Sequence, residues 1–378
     1  MKITDIGVIE LYAPCPESDR GHDTAFSICL IRVNTDSGLM GIAEIDTIPS
    51  IANAIISAPF RSSKQCGLRE ILIGTDPLEL SDRWHDMIEQ TSLIGRRGVV
   101  MHAISGIDIA LWDLKGKALG QSVTQMLGGP KHNRIPGYVT IYPLGRCPDD
   151  ARRKIDKALD TYNPRGVKIA ADRFWHTDPD LAETLIRTVR EHLGPDHPLM
   201  VDAISAFDTV EDVHRMLPVL RECNIHWLEA PLPLDDIDGH ALLKGCGLPV
   251  GVGDLGLTVP LEWRPYFETG IVDIAQPDLS HVGGLSGLVK LDEMAAKFGC
   301  SRIAPHGWNS NLTLGANLHV LASRDTLELA EFSTSNSPLR WQVTKENIPF
   351  DDDGYLCPPE GHGLGLEIDW EKIEQYRR

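Results

Sequence analysis

The sequence predicts an α/β protein in which a closed (β/α) barrel follows a smaller N-terminal module. Three observations lead to this fold class. The chain has 378 residues, which is more than one simple core usually holds. Residues 1–46 show the pattern of a few strands, with a turn at TDSGLMG. From about residue 135, short apolar runs alternate with longer helix-like segments over roughly 200 residues.

The N-terminal module is predicted to combine these strands with helices. After a less regular stretch from about 47 to 70, the clearest helix is VVMHAISGIDIALWDLKGKALG. Its apolar residues recur at the three- and four-residue spacing of an amphipathic helix, at Ile104, Ile107, Ala110, Leu111 and Leu114. Gly and Pro in LGGPKHNRIP end this region. We therefore place an α+β N-terminal domain at residues 1–128.

Eight apolar runs are predicted to form the barrel strands. In chain order they are GYVTIYPL, GVKIAA, PLMVDAI, IHWLEAP, PVGVGDL, VDIAQPDLS, RIAPHGW and LELAEF. Segments between them carry Asp or Thr caps and helical periodicity. An open doubly wound sheet is the alternative, but no glycine-rich dinucleotide loop follows the first strand. The barrel is placed at residues 129–344, and residues 345–378 are predicted to pack back on the N-terminal domain.

Composition and charge restrict the classes of function. The formal net charge of −18 argues against nucleic acid as a partner, because nucleic-acid binding needs a basic face. No apolar run reaches the length of a membrane span, and the N-terminus lacks the pattern of an export signal, so no membrane partner is expected. Eight scattered cysteines without a CxxC pair indicate reduced thiols and a cytoplasmic location.

Ionisable residues occupy the predicted C-terminal ends of successive barrel strands, where side chains converge on one site. Six of them follow one another at intervals of 24 to 28 residues, the length of one βα unit: Asp202, Glu229, Asp254, Asp278, His306 and Glu331. Lys168 precedes them on its own strand, where a lysine near a strand end often only extends to water. A single carboxylate after a strand is often a helix cap, but seven residues in one register predict a catalytic site.

Three of these carboxylates come from consecutive strands. Brought together, Asp202, Glu229 and Asp254 would repel one another strongly unless a cation lay among them. Oxygen ligands without a nearby cysteine or histidine favour Mg²⁺ over zinc. Taken singly, Asp254 also fits a turn and Glu229 a buried salt bridge. As a trio they predict a Mg²⁺ site.

The next two strands supply a carboxylate and an imidazole. Asp278 is expected to orient His306 and raise its basicity, which predicts a general base, although a satisfied core histidine is the structural alternative. Glu331 would lie on the opposite side of the substrate from the metal. The chemistry implied is proton abstraction next to a carboxylate, with the metal, Lys168 and a protonated Glu331 stabilising the enolate. A neutral Lys168 would itself be basic enough to move protons.

These motifs resemble the enolase superfamily and, within it, the mandelate racemase subgroup. AISGIDIALWDLKGKALG resembles that family's N-terminal-domain helix, VDAI, WLEAP, QPDLSHVGG and APHGW resemble its successive strand motifs, and GLGLEID resembles its closing signature. The resemblance implies a modified (β/α)7β TIM barrel with an α+β capping domain. Loops of that domain, here at about 13–25 and 47–68, are expected to close over the site and govern substrate choice. The resemblance also implies a homo-oligomer.

By position, the resemblance also assigns roles to residues. It gives metal binding to the three carboxylates and the general-base role to the His306–Asp278 pair. It makes Glu331 the partner of the substrate carboxylate or enolate, with Glu328 as the competing candidate.

Five further residues are weaker candidates for contact with a small-molecule carboxylate substrate. Tyr142 ends the first barrel strand, where barrel packing is an equal explanation. Trp308 and Asn309 follow the predicted base and either line the pocket or shape the loop. His22 and Arg61 lie in the capping loops, where a solvated surface position is the simpler interpretation.

The second barrel strand departs from the family pattern. Many members of the subgroup carry Lys-x-Lys there, with the second lysine as the base for one face of the α-carbon, whereas this chain has Lys-Ile-Ala at 168–170. Because Ala170 cannot move a proton, a two-base racemisation loses one base unless Asp172 or Arg173 compensates. This favours a one-base reaction in which His306 removes the α-proton and a β-hydroxyl leaves.

The predicted activity is therefore Mg²⁺-dependent dehydration of a sugar acid, an aldonate or aldarate, to a 2-keto-3-deoxy acid. Cycloisomerisation of a sugar-acid lactone is the first alternative because it also needs one base, and a racemase or epimerase of the same superfamily is a further one. A non-catalytic relative that binds a ligand is the alternative of another class. The intact metal trio and dyad argue against it.

Overall fold

A computed structural model describes residues 1–17, 23–171, 174–254 and 256–378. Two sheets organise this part of the chain: a three-stranded antiparallel sheet near the N-terminus and an eight-stranded, mostly parallel sheet after it. Among the described residues, no helix combines the length and apolar character that crossing a membrane requires.

The N-terminal sheet has the order β1-β2-β3. Its strands are β1 (Ile3–Tyr12), β2 (Ser27–Thr35) and β3 (Met40–Ile45). The predicted TDSGLMG turn joins β2 to β3, and Gly38 within it has a φ of 81°, which an L side chain rarely adopts. The prediction of a small antiparallel sheet is confirmed.

Five helices follow this sheet. They are α1 (Pro49–Ile56), α2 (Leu68–Leu72), α3 (Leu80–Gln90), α4 (Val99–Leu119) and α5 (Val123–Met126). The predicted amphipathic helix is α4, and its five predicted apolar residues are fully buried. A Cβ at Gly41 would lie 2.0 Å from the Ala110 carbonyl oxygen, so glycine lets α4 pack closely on β3. The region predicted to be irregular contains α1, whose start was signalled by Pro49 in its first turn.

The second sheet is the predicted barrel. Its parallel strands pair in the order β10-β4-β5-β6-β7-β8-β9. They are β4 (Ile135–Ile141), β5 (Gly166–Ala170), β6 (Leu199–Asp202), β7 (Leu228–Glu229), β8 (Val250–Val252), β9 (Ile274–Ala275) and β10 (Ala330–Ser333). The predicted strand RIAPHGW forms only isolated bridges, which join Ile303 to Ala275 and His306 to Asp278.

Seven helices separate these barrel segments and complete the predicted (β/α)7β arrangement. They are α6 (Pro148–Tyr162), α7 (Pro179–Leu193), α8 (Val210–Glu222), α9 (Ile237–Leu242), α10 (Pro260–Thr269), α11 (Gly284–Lys297) and α12 (Asn311–Ala322). α13 (Pro338–Gln342) follows β10, and the chain ends with β11 (Tyr355–Leu356) and α14 (Trp370–Ile373). β11 pairs antiparallel with β4.

The C-terminal segment also contacts the N-terminal sheet and α4. The Leu364 amide donates to Asp113 Oδ1 at 2.9 Å, and Asp113 Oδ2 accepts from the Ile42 amide at 3.0 Å. The Arg378 amide donates to the Glu10 carbonyl at 3.1 Å. One buried carboxylate on α4 thus joins β3 to the C-terminal segment.

Helix α4 connects the N-terminal region to the barrel. The Trp112 indole donates to Ser286 Oγ, and the Ser286 amide donates to Asp108 Oδ2, both at 2.9 Å. Next to this contact, the Asp46 amide donates to Ser280 Oγ at 3.2 Å. Ser280 lies beyond the C-terminal end of β9, so the end of β3 is held over the barrel face where the predicted site residues lie.

Candidate active site

The seven ionisable residues predicted from the sequence meet at the C-terminal ends of the barrel strands. Lys168 lies within β5 and Glu331 within β10. Asp202 ends β6, Glu229 ends β7, and Asp254 follows β8. Asp278 follows β9, and His306 lies in the segment that is bridged to it. The first six are buried, and His306 is partly exposed. The structure therefore brings the whole predicted set together.

Asp202, Glu229 and Asp254 form a compact carboxylate cluster, in which one oxygen of each lies within 4.8 Å of the others. Burial and the Glu229 charge raise the pKa of Asp254 to about 7, and the same two causes raise the pKa of Asp202. Asp254 Oδ1 is buried and has no hydrogen-bond partner in the described part of the chain. A bound cation would offset this unfavourable charge, and three carboxylate ligands fit Mg²⁺.

Glu229 is the most firmly held member of this cluster. Its Oε2 accepts from the Trp227 indole at 2.9 Å and from Gln276 Nε2 at 2.7 Å, and its Oε1 accepts from Lys168 Nζ at 2.6 Å. Sequence reasoning missed Trp227 and Gln276. Trp227 was detectable, because a residue two positions before Glu229 points to the same side of the strand.

Lys168 is a fixed ammonium at the centre of the site. Besides Glu229, its Nζ lies 3.0 Å from Glu331 Oε1 and 3.7 Å from Asp202 Oδ2. Burial acts to lower its pKa, but Glu229 and Glu331 outweigh burial and raise the pKa of Lys168 well above its ordinary value. The expectation of a neutral lysine that moves protons is therefore not supported. Lys168 acts here as a positive charge.

Ala170 is buried at the end of β5, in register with Asp202 on β6. It shares a strand face with Lys168, as positions two apart do. No titratable group therefore comes from this position. Asp172 and Arg173, named above as groups that could compensate for Ala170, lie outside the described residues, and so does His22, the capping-loop candidate for substrate contact.

His306 and Asp278 form the predicted pair. His306 Nδ1 lies 3.0 Å from Asp278 Oδ2, and the Ser280 amide donates to Asp278 Oδ1 at 2.6 Å. Burial acts to raise the pKa of Asp278, but His281 and His306 outweigh it and lower the pKa. Burial also acts to lower the pKa of His306, yet the Asp278 hydrogen bond and the Glu331 charge raise it to about 10. The neutral ring would carry its proton on Nδ1 and present the Nε2 lone pair.

Glu331, and not Glu328, faces the site. Arg302 binds Glu328 through two hydrogen bonds of 2.7 and 3.0 Å, which leaves Glu328 in a structural ion pair. Glu331 Oε1 accepts from Thr140 Oγ1 at 2.5 Å, and its Oε2 lies 4.0 Å from His306 Nε2. Burial acts to raise the pKa of Glu331, but Lys168 and His306 lower it. The protein alone therefore holds Glu331 ionised, whereas a protonated form was expected.

The weaker substrate candidates occupy different surroundings. The Trp308 indole donates to Asp23 Oδ1 at 2.9 Å, so Trp308 joins the site to the N-terminal region. Tyr142 lines a separate cavity with Tyr162 and Trp341 in its wall, and none of the seven ionisable residues lines that cavity. Arg61 is exposed. A contact of Tyr142 or Trp308 with substrate stays a prediction.

Sequence reasoning also missed Asp46, which the N-terminal sheet delivers to the site. Asp46 follows β3 directly, and its carbonyl accepts from His281 Nε2 at 2.8 Å. His281 in turn lies three residues after Asp278. The available signal was a carboxylate at the end of a strand in AEID, but sequence alone does not show that this strand end faces the barrel.

The fold and this geometry define a member of the enolase superfamily. A family model described as "Enolase C-terminal domain-like" matches residues 150–372, which is more than half of the chain. A second model, the "Mandelate racemase / muconate lactonizing enzyme, N-terminal domain", matches residues 14–128. The chain belongs to the mandelate racemase and muconate lactonizing enzyme family within that superfamily, as its motifs predicted.

Individual relatives carry the names of sugar-acid enzymes. L-talarate/galactarate dehydratase of Salmonella typhimurium is 32% identical over 312 residues, which cover 81% of this chain and 72% of that enzyme. D-galactarolactone cycloisomerase of Agrobacterium fabrum is 29% identical over 361 residues, which cover 92% of this chain and 90% of that one. The crystal structure of 3,6-anhydro-D-galactonate cycloisomerase from Zobellia galactanivorans superposes with a TM-score of 0.88 at 26% identity, and the match covers 100% of both chains.

Proposed function

We propose that this protein is a Mg²⁺-dependent sugar-acid dehydratase, which removes the α-proton of an aldonate or aldarate and eliminates the β-hydroxyl as water. The observation that carries the proposal is the single oriented base. His306 is held by Asp278, while Ala170 occupies the strand position where a second base would lie. The similarity to L-talarate/galactarate dehydratase supports the substrate class.

The substrate carboxylate would bind beside the carboxylate trio and next to Lys168, which contacts both Glu229 and Glu331. Asp202, Glu229 and Asp254 would hold Mg²⁺, which supplies positive charge that stabilises the additional negative charge of the enolate. Lys168 adds a fixed ammonium on the same side. A substrate carboxylate beside Glu331 would raise the pKa of Glu331 and favour the protonated form that can donate a hydrogen bond.

His306 Nε2 is the atom that would take the α-proton. Its Nδ1 is engaged by Asp278, so the ring is oriented and Nε2 points away from that carboxylate. The pKa of about 10 reflects the surrounding carboxylates. Neutralising part of that negative charge lowers the pKa of His306 and makes the neutral, proton-accepting ring available at lower pH.

The elimination then balances without a further base. The electron pair of the broken Cα–H bond enters the enolate, and its return breaks the bond between the β-carbon and its hydroxyl oxygen. The His306 imidazolium returns its proton to this leaving oxygen when departure is syn, so water is released. The enol formed tautomerises to a 2-keto-3-deoxy acid.

Cycloisomerisation is the second candidate, because D-galactarolactone cycloisomerase matches 92% of this chain. The same one-base chemistry would act with a ring oxygen of the substrate as the leaving group. The ring opens, no water is lost, and the product is an isomer of the substrate. The residues that remove the proton would be the same.

A substrate panel tests the proposal and separates the candidates. The protein is incubated with Mg²⁺ and hexonates, hexarates and their lactones, and 2-keto acid formation is followed by semicarbazide absorbance and mass spectrometry. We expect a product that is one water lighter than its substrate. A product of unchanged mass from a lactone would establish the cycloisomerase, and binding without any Mg²⁺-dependent turnover would establish a non-catalytic relative.

A further inference from the structure

We propose that Asp46 is a specificity-determining residue, which selects sugar acids with a single carboxylate by binding a hydroxyl of their polyhydroxylated chain. The inference rests on the proposed function and narrows its substrate class. It concerns a residue of the N-terminal domain, whereas the residues assigned above to metal binding and proton transfer all lie in the barrel.

The Asp46 backbone is fixed beside the catalytic pair. Its amide donates to Ser280 Oγ at 3.2 Å, and its carbonyl accepts from His281 Nε2 at 2.8 Å. The Ser280 amide donates in turn to Asp278 Oδ1 at 2.6 Å. Asp46 is therefore held by the same turn that holds the carboxylate of the base pair.

The Asp46 side chain lies next to the loop that follows His306. Thr24 Oγ1 lies 3.3 Å from Asp46 Oδ2 and 3.4 Å from Asn309 Oδ1, so one hydroxyl joins the two side chains. Asn309 is buried three residues after His306, and Asp46 is only half-buried. The Asp46 carboxylate thus stands at the rim of the site, close to the base and still open to a ligand.

The charge around Asp46 favours a hydroxyl over a second carboxylate. In the described ranges, no lysine or arginine forms an ion pair with Asp46. Burial and the Asp278 charge raise the pKa of Asp46, and His281, His306 and Asn309 oppose this effect without outweighing it. A second carboxylate would add like charge at this position, whereas a sugar hydroxyl would donate to Asp46.

A second acidic group on the same rim strengthens this preference. Asp23 accepts from the Trp308 indole at 2.9 Å and from Ser335 Oγ at 2.5 Å. It is thus held at the junction with the barrel by two neutral donors. The end of a substrate remote from the metal would therefore meet two carboxylates, neither of which is paired with a lysine or arginine among the described residues. Aldonates and lactones, which carry no free carboxylate at that end, fit this rim better than aldarates.

The test compares a hexonate with the hexarate of the same configuration, using the best-processed pair from the panel. For the protein as it stands, we expect kcat/KM for the hexonate to exceed that for the hexarate by about tenfold or more. In Asp46→Asn, which keeps the shape and removes the charge, this ratio is expected to fall by about fivefold or more, through a higher KM for the hexonate and a lower KM for the hexarate.

Asp5→Asn is the matched control. Asp5 is another carboxylate of the N-terminal domain, paired with Arg69 at 2.8 Å and Arg32 at 3.4 Å on the outer strand, and its loss should leave the ratio unchanged. If Asp46→Asn does not fold, as judged by circular dichroism, Asp46→Ser gives the same comparison.

Two results would overturn this inference: a preference of the unmodified protein for the hexarate, or the same hexonate-to-hexarate ratio of kcat/KM in the Asp46 variant as in the unmodified protein. Neither result would contradict the proposed dehydratase function. Failure to turn over any sugar acid would instead overturn the proposed function.

Discussion

His306 lies between two carboxylates that act on opposite sides of its ring. Asp278 engages Nδ1 at 3.0 Å, whereas Glu331 lies 4.0 Å from Nε2, too far for a direct hydrogen bond. One side of the imidazole is therefore used for orientation, and the other is available for chemistry. This asymmetry distinguishes a general base from a histidine whose two nitrogens are both satisfied in a core.

The Asp278 contact has a consequence for the pH dependence of the reaction. Asp278 contributes to the raised pKa of His306, and the neutral ring exists only above that pKa. In Asp278→Asn, the ascending limb of kcat/KM against pH should move to lower pH by about one unit, while kcat falls by roughly tenfold or more because the ring is less well oriented.

The check is the pH–rate profile, with exposed Asp160→Asn as the control that leaves the profile unchanged. A limb that stays in place in Asp278→Asn would show that another group sets the pH dependence.

The sequence was sufficient to predict the ionisable residues that recur once in each βα unit. It was insufficient for site residues that follow no repeat along the chain. Glu229 and Glu331 could be predicted because each follows its predecessor by one unit. Thr140 and Gln276 are ordinary polar residues whose roles depend on which strands lie near them. Thr140 on β4 binds Glu331 on the neighbouring β10, and Gln276 after β9 binds Glu229 on β7. The ionisation states of Lys168 and Glu331 also depend on these through-space contacts.

At the scale of elements, helix α12 carries a histidine that links two distant segments. His319 Nδ1 lies 2.7 Å from Thr124 Oγ1 in α5, and its Nε2 lies 3.1 Å from the Leu364 carbonyl oxygen. Burial lowers the pKa of His319 to about 4, despite the opposing effect of Leu364. The folded protein therefore keeps this ring neutral at pH values where an exposed histidine is charged.

This burial predicts a loss of stability in acid. Between about pH 6.5 and 4 the unfolded chain binds a proton at His319 that the folded chain does not, so the free energy of unfolding should fall by up to about 3 kcal/mol across this range. His319→Gln should remove that part of the pH dependence, measured by urea unfolding at several pH values. Exposed His85→Gln should retain the full dependence, and an unchanged slope in His319→Gln would contradict the assignment.

Helices were predicted from the sequence where their hydrophobic periodicity extends over many residues. Helix α4 extends over 21 residues with a clear apolar period, and it was found within one residue at its end. Helix α1 has 8 residues and was missed, because little more than two turns of periodicity resemble an irregular apolar segment. The seventh barrel segment was predicted as a strand but forms only two isolated bridges. The amino-acid composition of this segment does not by itself reveal the difference.

For the whole molecule, the metal trio joins three strands of the barrel, so cation binding should stabilise the fold. Mg²⁺ at about 100 times its Kd should add about 2.7 kcal/mol to the free energy of unfolding, which appears as a higher Tm. Asp254→Asn should abolish this shift. Because burial raises the pKa of Asp254, the same variant should melt above the unmodified protein when EDTA removes the cation.

Differential scanning fluorimetry with and without Mg²⁺ measures both effects, and exposed Asp235→Asn should retain the normal shift. An undiminished Mg²⁺ shift in Asp254→Asn would place the cation elsewhere.

The arrangement of the two sheets decides which parts of the site are fixed and which select the substrate. The barrel supplies the seven ionisable residues from the ends of strands that pair in a common parallel register. The N-terminal sheet supplies Asp46, and the segment before β2 supplies Asp23. Under the proposed function, the barrel would carry out the proton chemistry, and the N-terminal domain would discriminate between sugar acids.

The most direct test of one-base chemistry follows the α-proton itself. The best sugar acid is incubated in D₂O with Mg²⁺ and His306→Asn, and the α-proton signal is followed by ¹H NMR, after the Mg²⁺-dependent Tm shift has shown that the variant still binds the cation. We predict no loss of that signal beyond about a thousandth of the rate at which the unmodified protein consumes it. Exchange at a comparable rate in the variant would show that a base on the Lys168 side removes the proton, and would contradict the assignment to His306.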